Sequence, residues 1–76
     1  MVRFEVAQFL YTGLAVSLER LERSIEQGAF DQFDKQRFAD LKVAFEWYEE
    51  NCALSSKFLR EKIEEIEKKL ILLNNK

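Results

Sequence analysis

A chain of 76 residues with 12 basic and 14 acidic side chains and a formal net charge of -2 has room for one small domain. Cys52 is the only cysteine and histidine is absent, which rules out an intrachain disulfide and argues against zinc, haem and Cys/His catalytic centres; no cofactor is expected. Of the usual staples of so small a core, oligomerisation is the one left.

The basic residues (Arg3, Arg20, Arg23, Lys35, Arg37, Lys42, Lys57, Arg60) are scattered, and Glu or Asp lies beside most of them. That pattern suits a solvated helical surface and offers no footprint for nucleic acid, so none is expected as a partner. The lone cysteine fits a reducing, cytoplasmic setting. "MVR" followed by "FLYTGLAVSL" has the order of a targeting signal, but Glu5 and Gln8 interrupt it and no small-x-small cleavage site follows. The run is also far short of the ~20 apolar residues of a membrane span, so no membrane partner is expected.

From Phe4, apolar residues recur at Ala7, Tyr11, Leu14, Leu18, Leu21 and Ile25 in alternating steps of three and four. This is one stripe of a helix with coiled-coil-like packing. Gly28 follows as the residue that best tolerates positive φ, so helix A is placed at about 4–27. "GAFDQFD" forms a loop at about 28–33. Asp34 is the expected N-cap, with Phe33 and Phe38 as a hydrophobic staple; Asp31 is the competing cap.

Helix B, at about 34–73, carries Phe38, Leu41, Phe45, Tyr48, Cys52, Ser55, Leu59, Ile63, Ile66, Leu70 and Leu73. Only the step from Leu59 to Ile63 breaks the alternation. An unbroken helix of about 40 residues would run ~60 Å. The alternative is a bend within "NCALSS", where Asn51 ends one helix and a serine starts a third that folds back. The fold class is thus all-α: an antiparallel hairpin with an overlong second helix, assembling into an oligomeric bundle. Pairing back from the loop sets Ile25 against Phe38, Leu18 against Phe45, Leu14 against Tyr48 and Phe4 against Leu59. The Tyr48 hydroxyl is expected at the edge of its layer.

A second apolar stripe on helix A, Val2, Val6, Phe9, Gly13 and Val16, stops where Arg20 and Arg23 take over. Helix B answers with Val43, Trp47 and Leu54. Beyond the reach of helix A, Ile63, Ile66, Leu70 and Leu73 extend the inner stripe, flanked by the pairs Lys57–Glu61, Glu64–Lys68 and Glu65–Lys69. Leaving roughly eight such side chains in water would forgo about 1.5–3 kcal/mol each. These residues are therefore the expected oligomer interface, with a second copy of the chain as partner and another protein beyond it.

The expected function is that of a non-enzymatic interaction protein, an adaptor or inhibitor that presents helix faces. A second reading is a small anionic, nucleotide-like ligand held between subunits by Arg3, Lys57 or Arg60. The third rests on carboxylates: Glu46, Glu49 and Glu50, with Glu61, Glu64 and Glu65, form E-x-x-E spacings on one helix. This spacing resembles the Mg-binding helices of all-α nucleotide pyrophosphohydrolases, and the resemblance implies metal-dependent phosphohydrolysis. In the register above, however, Glu46, Glu50 and Glu61 point outward.

Overall fold

The computed structural model describes residues 2–74, so Met1 of the charged start lies outside the described residues. Three α-helices follow one another: α1 (Phe4–Glu26), α2 (Gln32–Asn51) and α3 (Lys57–Asn74). There is no strand among the described residues.

Helix α1 begins after an extended Arg3 and buries Ala7, Leu14, Leu18, Leu21 and Ile25 along one stripe. It ends in a Schellman arrangement. The Ala29 amide donates to the Ser24 carbonyl at 2.8 Å and the Gly28 amide to Ile25 at 3.1 Å. Gly28 takes φ 69°, where a β-carbon would strain the backbone.

The next helix starts on Asp31, not on Asp34. The Asp34 amide donates to Asp31 Oδ1 at 2.9 Å, and the Asp31 amide returns to Asp34 Oδ2 at 3.3 Å. Asp34 is thereby third in the helix and also accepts from the Ser24 hydroxyl at 3.0 Å, joining α1 to α2. The expected staple does not form: Phe33 is 81% exposed, while Phe30 packs against the core instead. A cap that answers two donors and reaches α1 outweighs one contact between rings.

Helix B is not continuous. Asn51 ends α2, Cys52 is extended at φ -118°, ψ 139°, and α3 begins at Lys57. The polar side chains of "NCALSS" hold the break. Asn51 Nδ2 donates to the Trp47 carbonyl at 2.9 Å, the Ser56 hydroxyl to Glu49 at 2.7 Å, and Ser55 Oγ accepts from the Lys57 amide. The Val2 amide also reaches the Asn51 carbonyl at 3.3 Å. The described chain extends only 43 Å along its longest axis, too short for the ~60 Å helix.

Helix α3 then returns alongside α1. Phe58 lies beside Tyr11 at one end (ring centroids 6.4 Å), and Lys69 meets Glu22 and Glu26 at 3.0 Å at the other. It runs parallel to α1 and antiparallel to α2, and the three pack as a bundle. The core joins Leu14, Leu18, Leu21 and Ile25 to Phe38, Phe45 and Tyr48, and to Leu59, Ile63 and Ile66. Because α3 is docked, Lys62 and Lys69 turn inward to α1. Lys62 pairs with Glu22 at 2.9 Å and with Glu65 at 3.7 Å; none of the three pairs expected along the outer face forms.

Candidate functional site

With α3 folded back, the expected interface divides. Ile63 and Ile66 are buried in the chain's own core, and Leu54 and Leu70 are partly buried against it. They serve the single subunit: a doubled-back tail covers the same apolar surface at the cost of one short turn. Val2 stands before α1, half-buried, with its amide donating to the Asn51 carbonyl. Leu73 is exposed with Ile71 and Leu72 at the far end of α3.

The outer stripe behaves otherwise. Val6, Phe9 and Val16 of α1 and Val43 and Trp47 of α2 all stay exposed, Phe9 by 76%, Val43 by 67% and Trp47 by 49%. Between the two helices Leu10, Leu14, Ala44, Trp47 and Tyr48 line an apolar groove of about 210 Å³. Gly13 sits on the same flank, and a β-carbon built there meets nothing within 4 Å. These side chains lie on the outer sides of α1 and α2 and along the groove between them. Leu10 and Ala44 belong to it but not to the sequence reading, because they fall between two stripes when each helix is read alone.

Tyr48 anchors the floor of this face and is among the most buried side chains. Its hydroxyl is buried without a hydrogen-bond partner, where an edge position was expected. Burial, reinforced by the nearby Cys52 and Tyr11, pushes its pKa up.

On the other flank, Tyr11, Thr12, Leu54, Lys57, Phe58 and Glu61 line an open groove of about 540 Å³ between α1 and α3. The three candidate anion contacts do not converge there. Lys57 borders it and shares a second cavity of about 460 Å³ with Arg60, which Glu49 engages, whereas Arg3 lies apart, 3.9 Å from Glu5. Glu46, Glu50, Glu61, Glu64 and Glu65 are exposed. Glu49 is occupied by Ser56 first and Arg60 second, which together lower its pKa. Among the described residues, no group of three or more His, Cys, Asp or Glu side chains gathers as a metal cluster would require. No described helix is long and apolar enough to cross a membrane.

Comparison with protein-family models, with curated proteins and with solved structures returned no match to this chain.

Proposed function

We propose that this chain is a non-enzymatic, self-associating interaction protein, an adaptor or inhibitor that works by presenting the apolar α1–α2 face. One observation supports the reading: Phe9 on α1 and Val43 and Trp47 on α2 remain exposed after the core has closed and the tail has been used. A chain with a complete core gains nothing for its own fold from three large apolar side chains in water. Trp is moreover a frequent anchor of protein interfaces. The single cysteine supports a reducing, cytoplasmic location. Sedimentation equilibrium at micromolar concentration is the test: the expected result is a dimer or higher oligomer that Phe9→Glu dissociates, and a compact monomer would refute the proposal.

A second reading, a small amphipathic ligand in the α1–α3 groove, is favoured by the Tyr11 and Phe58 rings set beside Lys57. A thermal shift with nucleotides that Phe58→Ala abolishes would support it, and flat melting curves across the nucleotide set would refute it.

A further inference from the structure

Building on that reading, we infer that the first partner of the α1–α2 face is a second copy of this chain, docked α1 against α1 in antiparallel sense about a twofold axis at Gly13. The outward stripe of α1 reads alike in both directions: Gly13 at its centre, Phe9 and Val16 on either side, Val6 and Arg20 beyond. A second α1 turned end for end sets Gly13 against Gly13, Phe9 against Val16, and Val6 against the aliphatic stem of Arg20. The larger side chain then faces the smaller in the apolar layers.

Gly13 is the position that makes this approach close. Glycine is the costliest ordinary residue inside a helix apart from proline, and nothing in its own chain requires it here, since a β-carbon would stand in open space. A helix from outside can approach its backbone.

The charges select the direction. Glu5 and Arg23 lie about five helical turns apart and so share one flank of α1. In an antiparallel twofold pair the same flanks meet, so Glu5 of each copy reaches Arg23 and Arg20 of the other, twice by symmetry. A parallel pair would set Arg20 against Arg20 and leave Glu5 about four to five turns from Arg20 and Arg23 of the other copy. Arg20 and Arg23 are exposed and form no ion pair with a described residue, and Glu5 has only the 3.9 Å contact with the equally exposed Arg3. Trp47 lines the groove beside Leu10 and Leu14.

Disulfide trapping tests the register. In a Cys52→Ala background, G13C under mild oxidation at micromolar concentration is expected to yield a covalent dimer rapidly, because a twofold axis brings the two introduced thiols within bridging distance. E64C, on the exposed face of α3, should not. With Cys52 intact, E5R and the pair R20E/R23E should each raise the dimer dissociation constant about tenfold, and the three changes combined should restore it to within about threefold. A chain that sediments as a dimer, yet traps G13C no faster than E64C and is not rescued by the combined reversal, overturns this register and leaves the self-association reading standing. A monomeric unaltered chain overturns both.

Discussion

The Glu22 carboxylate accepts a hydrogen bond from the Lys62 ammonium at 2.9 Å, joining α1 to α3 across 40 residues of chain. Lys69 reaches the other oxygen of the same carboxylate at 3.0 Å, so one largely buried acid clasps two lysines of the returning helix. The bond to Lys62 is the main reason that the Glu22 pKa falls, with Lys69 assisting and burial opposing. Lys62 rises for the reciprocal reason. The clasp holds α3 in place because, with its partners gone, each ion would remain partly desolvated.

The pH dependence follows from these directions. A lowered acid contributes stability that is fully present above its ordinary pKa near 4.5 and is lost as pH falls through the lower folded value. A raised lysine contributes stability that is present below its ordinary 10.5 and is lost as pH rises through the higher folded value. Stability from the clasp is therefore flat between those limits and declines on both sides. Glu22→Gln should cost about 1–2 kcal/mol near neutrality and soften the acid-side decline, as read by urea unfolding across a pH series.

Tyr48→Phe should leave stability unchanged or raise it by up to about 1 kcal/mol. Its hydroxyl is desolvated and returns no hydrogen bond, so its removal relieves a cost and leaves the ring packing in place. The urea midpoint is the readout, and a clear loss of stability would mean that the hydroxyl is satisfied in solution.

Ile66→Ala and Phe9→Ala should fail in different ways. Ile66 is fully buried where the three helices meet, and its truncation leaves a cavity worth about 2–5 kcal/mol of folding stability. Phe9 is exposed in the single chain, so its loss should leave the melting of dilute protein nearly unchanged while weakening self-association. Calorimetry at low concentration paired with sedimentation at high concentration separates the two.

Gly13→Ala is expected to act with opposite signs on folding and on assembly. The added methyl meets open space and removes glycine's helix penalty, stabilising the dilute chain by about 1 kcal/mol. The same methyl on each copy widens a close α1 crossing and should raise the dissociation constant. A rise in both stability and affinity would place the contact elsewhere.

Much of this molecule follows from residue order. Of the three-four stripe of α1, Ala7, Leu14, Leu18, Leu21 and Ile25 are buried and Tyr11 is half-buried, whereas Phe4 at its start is 61% exposed and is not packed against Leu59 as the pairing expected. Gly28 marks the end of α1, since only one residue type takes φ 69° without strain. The outer stripe at Val6, Phe9 and Val16 was legible for the same reason, because helical spacing alone puts these residues on one flank. The choice of cap at α2 was not. Asp31 and Asp34 are alike in sequence, and the Ser24 hydroxyl that favours Asp34 as third residue comes from another helix.

What residue order by itself determined is an all-α chain with more apolar helix than a simple hairpin covers, since periodicity is a local property of the backbone. What tertiary structure decided is how that excess is shared. Ile63 and Ile66 continue the stripe of Phe45 and Tyr48 with only the step from Leu59 to Ile63 out of turn, so periodicity reads one helix where there are two. A few hydrogen bonds around Asn51, Ser55 and Ser56, with Glu22 clasping Lys62 and Lys69, turn the tail back onto α1. The clasp joins residues 40 and 47 positions apart, and neither it nor the local bonds of the turn leave a periodic trace in the sequence. Once the turn is made, α3 hides the inner stripe, and Phe9 and Trp47 keep facing outward because no helix of their own chain remains to reach them.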